Sequence, residues 1–553
     1  MKSIFISSIS FFFLTLVAQA QSSEYYKFAV FFKDKANSPY SISRPEEFLS
    51  PKALERRAKS KVAVTESDLP VSPTYIQQVR ALGFDYFNKG NWSNFITIGT
   101  TDSASITKLN SLAFVSQVKH IHKGKIPQAK PSVNKDLKAG EPISDFNNLN
   151  YGSSQTQIEM IGVDFMHSKG YFGKDVVIAV FDAGFYRVDE LPAFEHIRAN
   201  NSILATWDFV MNEPSVYEDN THGMSVLSCI AGYVPGKLVG TAPQAKFFLL
   251  RTEDAGSETI TEEYNWEAAA VWADSAGADI ITSSLGYTTF DNPFDSHNYQ
   301  QLDGNTTVIT RAADRAASKG IFVVNSAGNS GSSPWYYIGA PADGDSVLAV
   351  GAVKADRSIA NFSSRGPSVD GRVKPGVCAM GQATMLSLAS GEIGPSNGTS
   401  FSAPIIAGAV ATLLQANPTA TNMQLYDAII RSADRFENPN ADYGYGIPNL
   451  GYADLILKYS DANSLYDKQN IQVYPNPNQG LVNLDFFSLK EAEYTFEISD
   501  LKGRIVLSTK RKFLAKSLNL VQIQLPENIN AGTYVIAVKE GKKVFSSKFI
   551  IQK

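Results

Sequence analysis

A continuous apolar run at residues 176–181, VVIAVF, constrains the fold of this chain most strongly. It is rich in β-branched residues and shows no alternation with polar ones, which is typical of a parallel strand buried on both faces. The run ends at Asp182, and open α/β sheets build their sites at the carboxyl ends of their strands. The sequence therefore predicts an α/β fold with a carboxylate at the functional edge of the sheet.

A serine stands at the predicted start of a long apolar helix. Residues 397–404 read NGTSFSAP, and the apolar run 405–414 follows at once. This pattern places the Ser400 hydroxyl at a helix N-terminus, where unpaired backbone N–H groups favour negative charge. Gly398 permits a tight turn just before it. Serine at such a position commonly caps the helix, so a catalytic role needs a base and an acid elsewhere in the chain.

Both of these partners are present upstream of Ser400. Residues 221–232, THGMSVLSCIAG, predict a helix that begins near His222 and whose small residues permit close packing on a sheet. His222 is one of six histidines, and it alone opens such a helix between Asp182 and Ser400. A helix-opening histidine is usually a surface residue, and a strand-end aspartate is usually a cap. The three residues together, in the order Asp, His, Ser, indicate nucleophilic catalysis.

In this order and spacing the chain resembles the subtilisin-like (subtilase) serine peptidases. The resemblance covers residues 151–458 and implies a mostly parallel sheet flanked by helices. It also implies that Asp182 is the acid, His222 the base and Ser400 the nucleophile of a serine endopeptidase. Such an enzyme hydrolyses peptide bonds through an acyl-enzyme and needs no cofactor.

Further site residues follow from the same resemblance. Asn329, in SAGN at residues 326–329, matches the side-chain donor to the oxyanion, and Asn325 at the end of the preceding strand is the alternative. The sequence SLG after the strand-like residues 279–281 matches the segment that pairs with extended substrate backbone, namely Ser284, Leu285 and Gly286.

Three positions depart from the family pattern. Ala183 follows the acid where the family usually has Ser or Thr, which removes one hydroxyl hydrogen bond. The histidine motif continues as HGMS, and residues 378–381 read CAMG where Ala-Pro-Gly is common. None of these changes removes a group that transfers a proton or stabilises charge. We therefore expect activity, with the shape of the subsites left open.

Two other functions are weighed against peptide hydrolysis. A catalytically silent surface adhesin could keep the subtilase fold for binding, although the complete set of catalytic residues speaks against it. A sedolisin-like acid peptidase requires Glu where His222 stands. Subtilases often carry structural calcium, but residues 233–239, YVPGKLV, contain no carboxylate or amide to bind it there. No metal site is identified, and calcium elsewhere remains open.

The chain begins with a pattern typical of a secretory signal peptide. A lysine precedes the apolar residues 4–17, and AQA at residues 18–20 predicts cleavage before Gln21. No other membrane-spanning candidate is found. The net charge of −4 argues against nucleic acid or an anionic membrane as partner. The two cysteines, Cys229 and Cys378, lie in apolar stretches and are expected to be buried thiols, with a single bridge still open.

Residues 21–123 resemble the inhibitory propeptide of subtilases. Strands are predicted at 28–32, 94–98 and 115–121, and helices at 75–82 and 103–112. An ordinary binding module is the alternative. The basic run RRAKSK at residues 56–61 is expected to be a solvated helix face. Residues 124–150 are poor in apolar side chains and predict an exposed activation linker.

Residues 471–553 predict a β-sandwich, because apolar side chains alternate along several short segments between turns. The motifs YPNP at residues 474–477 and DLKGR at 500–504 resemble the C-terminal sorting domain of type IX secretion. That resemblance implies a Bacteroidetes-type bacterium, with the type IX machinery as a partner. It further implies export through the periplasm and outer membrane to the medium or cell surface. A carbohydrate- or protein-binding sandwich is the alternative.

Overall fold

The structure is a computed structural model that describes residues 24–125, 146, 149–458, 471, 473–515 and 517–552. The predicted signal peptide lies outside the described residues, as does most of the predicted linker. The elements form three units in chain order, which we call the N-terminal unit (24–125), the central unit (149–458) and the C-terminal sandwich (473–552).

The N-terminal unit is a four-stranded antiparallel sheet in the order β2-β3-β1-β4, accompanied by two α-helices. Its elements are β1 (Glu24–Phe32), α1 (Pro51–Lys59), α2 (Pro73–Ala81), β2 (Asp85–Gly90), β3 (Phe95–Thr100) and β4 (Val115–Lys125). The helix predicted at 103–112 is a 3₁₀-helix, Ser103–Ser111. Its hydroxyls bond the carbonyl three residues earlier, as Thr107 does with Ala104, and such bonds compete with an α-helical ladder.

The central unit is built on a seven-stranded parallel sheet in the order β13-β12-β11-β10-β5-β9-β6. Its elements up to the middle of the sheet are α3 (Gln155–Glu159), α4 (Val163–Ser168), β5 (Val177–Asp182), α5 (Glu195–Ala199), β6 (Ile203–Asp208), α6 (His222–Ala231), β7 (Tyr233–Val234), β8 (Leu238–Val239), β9 (Lys246–Arg251), α7 (Thr261–Ala276) and β10 (Ile280–Ser283). The remainder are α8 (Val308–Ser318), β11 (Phe322–Ser326), β12 (Val347–Val353), β13 (Val377–Met380), β14 (Thr384–Ser387), β15 (Ile393–Ser396), α9 (Thr399–Ala416), α10 (Asn422–Ser432) and α11 (Leu450–Lys458).

Strand β5 shows why this sheet forms. Ile178 and Val180 belong to the core shared with α6 and α9, whereas Ala179 and Phe181 belong to the opposite core shared with α7 and α8. All six residues of the strand are buried. An unbroken apolar run is therefore required here, since each face of the strand is covered by helices. The predicted α/β class and the mostly parallel sheet are confirmed.

Helix α9 runs through the middle of the core. By length and composition it could cross a membrane, but its window of 18 residues is 89% buried inside the protein. Gly408 permits a close crossing, because a Cβ there would lie 2.0 Å from Thr241 Oγ1. Cys229 and Cys378 are both buried free thiols, as expected.

The C-terminal sandwich consists of two antiparallel sheets in the orders β16-β17-β20 and β19-β18-β21-β22. Its strands are β16 (Val473–Tyr474), β17 (Leu481–Ser488), β18 (Ala492–Asp500), β19 (Ile505–Phe513), β20 (Ser517–Gln524), β21 (Gly532–Glu540) and β22 (Lys543–Ile551). Alternating residues such as Phe496, Ile498 and Ile536 fill the space between the sheets. This packing confirms the predicted sandwich.

The N-terminal unit lies on helices α7 and α8, and its basic run is not a solvated face. Arg56 and Arg57 are only 3% and 2% exposed. Both donate to the Asp274 carboxylate on α7, and Arg57 also bonds Asp68 within its own unit. Lys319 of the central unit bonds Asp68 at 2.8 Å. The expectation for residues 56–61 was wrong because the charged partner lies more than two hundred residues away in the sequence.

The C-terminal sandwich contacts the other side of the central unit. Phe487 and Leu518 join the core of that unit, and the rings of Phe487 and Tyr452 on α11 lie 5.2 Å apart. One ion pair, Lys169 with Asp485, crosses the same contact with both side chains 31% exposed. The contact is therefore mainly apolar.

Candidate active site

Asp182 is the last residue of β5 and is fully buried. Its Oδ1 accepts hydrogen bonds from Ala183 N at 2.8 Å and from His222 Nδ1 at 2.8 Å. Its Oδ2 is buried and has no hydrogen-bond partner within the described residues. A serine or threonine at position 183 would offer a hydroxyl beside this carboxylate, which is the bond expected to be missing.

His222 opens helix α6, and its backbone N–H donates to Asn220 Oδ1 at 2.8 Å. Gly223 allows this helix end to approach Asp182. A Cβ at residue 223 would lie 2.4 Å from Gly184 O and 2.7 Å from Asp182 Cβ. Any larger side chain would push α6 away from β5, so the glycine makes the His222–Asp182 hydrogen bond possible.

The surroundings of His222 favour its charged form. Burial on its own lowers the pKa of the imidazole, but the charge and hydrogen bond of Asp182 outweigh it, and the charge of Glu253 adds to them. The pKa of His222 is therefore raised above its ordinary value of 6.5. Because Nδ1 is bonded to Asp182, Nε2 is the ring nitrogen left to exchange a proton.

Ser400 is the second residue of α9, which begins at Thr399 directly after Gly398. Gly398 is the N-cap residue of the helix, with φ of 153°. Its Oγ donates to Ser284 O at 3.4 Å, and Ser284 Oγ donates to Ser400 O at 2.9 Å. No hydrogen bond joins Ser400 Oγ to His222 among the described residues. The two residues are nonetheless neighbours, since the His222 ring lies 6.0 Å from the ring of Phe401.

The two asparagines considered as oxyanion donors differ in what their amides do. Asn329 Oδ1 accepts from Thr399 N at 2.9 Å and from Thr399 Oγ1 at 3.0 Å. Its Nδ2 makes no hydrogen bond within the described part of the chain, and the side chain is exposed next to Ser400. Asn325 is fully buried, and its Nδ2 donates to Leu285 O and Ser326 O. Only the Asn329 amide is free to donate.

The segment Ser284–Leu285–Gly286 directly follows β10. Ser284 and Leu285 are buried, whereas Gly286 is exposed. A Cβ at Gly286 would meet only Ala340 O, at 3.9 Å. The segment therefore presents an open backbone edge beside Ser400.

Glu253, which no sequence motif identifies, lies two residues beyond the end of β9. Burial, followed by the charge of Asp182, raises the pKa of Glu253 to about 7. Its carboxylate accepts from Tyr287 Oη at 3.3 Å. The rule that parallel strands end at one edge could have identified it, because β9 is the hydrogen-bonded neighbour of β5. Within the described ranges, no group of three or more His, Cys, Asp or Glu side chains is arranged to hold a metal ion.

Three family profiles match along the chain. The profile "Subtilase family" matches residues 173–446, "Peptidase S8 propeptide domain, Bacteroidota" matches 27–136, and "Secretion system C-terminal sorting domain" matches 472–552. Each profile falls on one of the three units.

Individual proteins match the central region. Subtilisin E of Bacillus subtilis (strain 168) is 33% identical over 304 residues, which cover 54% of this chain and 70% of that protein. Subtilisin of Bacillus pumilus is also 33% identical over 304 residues, covering 96% of its length. A solved structure, "Crystal structure of MycP1 with the N-terminal propeptide removed", aligns with a TM-score of 0.44 at 23% identity, over 54% of this chain and 96% of that one.

Proposed function

Because this chain belongs to the subtilase family of serine peptidases, we propose that it hydrolyses peptide bonds through Asp182, His222 and Ser400 by way of an acyl-enzyme. The chain is a serine endopeptidase with a propeptide domain and a sorting domain for export to the medium or cell surface. The observation that carries the catalytic assignment is the 2.8 Å hydrogen bond between His222 Nδ1 and the buried Asp182 carboxylate. That bond leaves Nε2 as the base.

In the proposed acylation step, Ser400 Oγ leaves Ser284 O and attacks the carbonyl carbon of the scissile bond. Its proton passes to His222 Nε2, and Asp182 stabilises the resulting imidazolium. His222 then gives the proton to the leaving amine nitrogen, so that the C–N bond breaks and an ester remains on Ser400. Water then attacks the ester carbon while His222 Nε2 takes its proton. The bond from that carbon to Ser400 Oγ breaks, His222 returns the proton to Oγ, and the peptide acid is released.

The negative charge of the tetrahedral intermediate is proposed to rest on two donors. The Ser400 backbone N–H at the start of α9 is one, since helix N-termini favour anions. Asn329 Nδ2 is the other, and Thr399 supports it by holding Oδ1 in place. A donor fixed before the reaction costs no reorganisation when charge develops. The open edge at Ser284, Leu285 and Gly286 would hold the substrate backbone.

We further propose that residues 21–123 act as inhibitor of residues 151–458 until the linker 124–150 is cut. The docking of the N-terminal unit on α7 and α8 supports this proposal. Residues 471–553 would direct passage through the periplasm and outer membrane by the type IX machinery. No cofactor is required by the proposed steps.

The experiment that tests the assignment is the Ser400→Ala substitution in the full-length chain. We expect no detectable hydrolysis of a peptide substrate, and an uncleaved precursor if maturation is autocatalytic. The fold should persist, because alanine fits the same helical position. A processed and active Ser400→Ala protein would contradict the catalytic role. A folded wild-type protein without any peptide hydrolysis would instead favour the silent adhesin.

A further inference from the structure

A cavity of about 940 Å³ extends away from the catalytic residues. At one end it is lined by Ala183 and Asn220, which are neighbours of Asp182 and His222. At the other end it is lined by residues 120–125, the last part of strand β4 in the N-terminal unit. The cavity therefore lies between residues close in sequence to the catalytic pair and the last strand of the N-terminal unit.

The wall that the central unit contributes to this cavity is strongly acidic. Its carboxylates are Glu213, Asp219, Asp254, Glu262, Asp291 and Asp295. Arg251 is the one lysine or arginine on that wall, and it already pairs with Asp208 at 2.7 Å and Asp219 at 3.2 Å. The wall thus carries more negative charge than its own cation can balance.

Glu262, on the same wall, has a carboxyl oxygen without a partner in the part of the chain that the structure describes. Its side chain is 1% exposed and lines the cavity, yet its Oε1 has no hydrogen-bond partner within the described residues. Oε2 accepts only from Thr259 N, at 2.8 Å. Burial raises the pKa of Glu262 to about 10, and the charges of Glu258, Glu253 and Asp254 act in the same direction. The carboxyl of Glu262 is therefore protonated near neutral pH, and a substrate cation placed beside it would lower that pKa and favour the charged form.

The N-terminal unit brings three lysines to the opposite wall, whereas burial lowers the pKa of His122 to about 4 and keeps that imidazole neutral. The cavity residues that this unit supplies are Lys27, Ile121, Gly124 and the basic or titratable His120, His122, Lys123 and Lys125. Lys27 is 5% exposed, and burial lowers its pKa to about 8, against the attraction of Asp254, Asp208 and Glu262 for its charged form. Thr261 Oγ1, next to Glu262, donates to Ile121 O at 2.9 Å and so holds β4 against the acidic wall.

We propose that the released enzyme uses this acidic wall to select peptides with lysine or arginine on the amino side of the bond that is cut. The inference rests on the proposed function. Any cut in the linker 124–150 falls after residue 123, so His120, His122 and Lys123 of β4 lie on the amino side of that bond. Once the N-terminal unit leaves, a cationic substrate side chain takes the place of the charges it supplied.

Specificity is measured with processed enzyme and a series of quenched peptides of one parent sequence. Each position on the amino side of the bond carries in turn lysine, norleucine or glutamate. The enzyme variants are Glu262→Gln and Asp291→Asn, in which an amide oxygen can still accept the bonds from Thr259 N and Glu258 N. Asp427→Asn is the matched control, because it removes one exposed carboxylate on α10, outside the cavity.

We expect lysine at one position to raise kcat/KM about tenfold over norleucine, and glutamate to lower it, since charge complementarity discriminates between substrates. The lysine advantage should fall by at least about threefold in each cavity variant and stay unchanged in the control. If one cavity variant fails to mature, the ratio of kcat/KM for lysine and norleucine peptides is measured on the other variant, and that ratio tests the inference.

Equal cleavage of lysine and norleucine peptides by the wild-type enzyme would overturn the inference and leave peptide hydrolysis intact. So would a lysine advantage that survives both cavity variants. A calcium titration in which Glu262→Gln removes a bound ion, with no lysine preference, would assign the wall to a metal instead. If the proposed peptidase function itself is wrong, no peptide of the series is cleaved, and this result distinguishes that failure from a failure of the specificity inference.

Discussion

The N-terminal unit and the C-terminal sandwich both pack on the central unit, but by different physical means. The N-terminal contact contains a buried charge network, in which Arg56 and Arg57 share Asp274 while Lys319 reaches Asp68. The sandwich contact is apolar, through Phe487 and Leu518, with one half-exposed ion pair. Removal of one partner from a buried charge network lowers stability sharply, whereas the stability of an apolar contact falls gradually as buried area is lost.

The two contacts also differ in how close they lie to the proposed catalytic residues. The N-terminal unit covers α7 and α8, and β4 ends in the cavity that begins beside Asp182. The sandwich meets α4 and α11, and its residues do not line that cavity. We therefore expect disturbances of the first contact to change access to the active site, and disturbances of the second to change stability only.

The largest effect is expected for Asp274→Asn. The substitution leaves the buried guanidinium group of Arg56 without a carboxylate and that of Arg57 with Asp68 alone. Loss of one partner in a buried ion network costs about 3–5 kcal/mol. In the Ser400→Ala precursor, hydrogen–deuterium exchange should rise in α1 and on α7 but not in the sandwich. Asp427→Asn, which removes an exposed partner of Arg431, serves as control. Unchanged exchange in α1 would show that the network does not hold the N-terminal unit.

A comparable or slightly smaller loss, about 3 kcal/mol, is expected for Phe487→Ala, because a buried ring is removed from the contact with Tyr452. Thermal unfolding should begin at a lower temperature, while kcat/KM of the processed enzyme stays the same. Leu501→Ala changes an exposed side chain of the same sandwich and should shift stability by no more than about 0.5 kcal/mol. Loss of turnover in Phe487→Ala would make the sandwich part of the enzyme.

Asn329→Ala should impair catalysis without changing how the N-terminal unit or the sandwich contacts the central unit. We expect turnover to fall by about a hundred- to a thousandfold, the loss known for the corresponding donor in subtilisin, with KM little changed. Exchange in α1 and α11 should remain as in the wild type. Should Asn325→Ala cause that loss of turnover while Asn329→Ala does not, the choice of oxyanion donor is wrong.

The smallest effect concerns the pH dependence of activity. The neutral imidazole of His222 is the active form, so kcat/KM should rise as pH passes through its raised pKa. Glu253→Gln removes a negative charge that raises this pKa, and the acid limb should move to lower pH. The remote Asp427→Asn change should leave the limb in place. A limb that stays fixed in Glu253→Gln would mean that Glu253 does not act on His222.

The sequence predicts well whatever is local. The apolar run before Asp182, the helix starts at His222 and Ser400, and the alternation in the sandwich all depend on near neighbours in the chain. The α/β class and the family follow from them. These local patterns do not show which charged side chains meet in space, because those side chains come from separate elements.

The exceptions illustrate this limit. The run at 56–61 looks solvated because its basic residues follow one another without an apolar pattern, and the carboxylate that Arg56 and Arg57 share, Asp274, lies far along the chain on α7. Glu253 has no local motif and becomes important only because β9 pairs with β5. The contact between Phe487 and Tyr452 on α11 depends on how the sandwich and the central unit meet, which no periodicity of the sequence encodes.

Labelling by a fluorophosphonate, followed by mass spectrometry of the digested protein, tests the catalytic centre most directly. The processed wild-type enzyme should carry one adduct, on the Ser400 hydroxyl, because only a serine activated by its base reacts. The His222→Ala enzyme should carry none. An adduct on another serine, or undiminished labelling of Ser400 without His222, would contradict the proposed Asp182–His222–Ser400 mechanism.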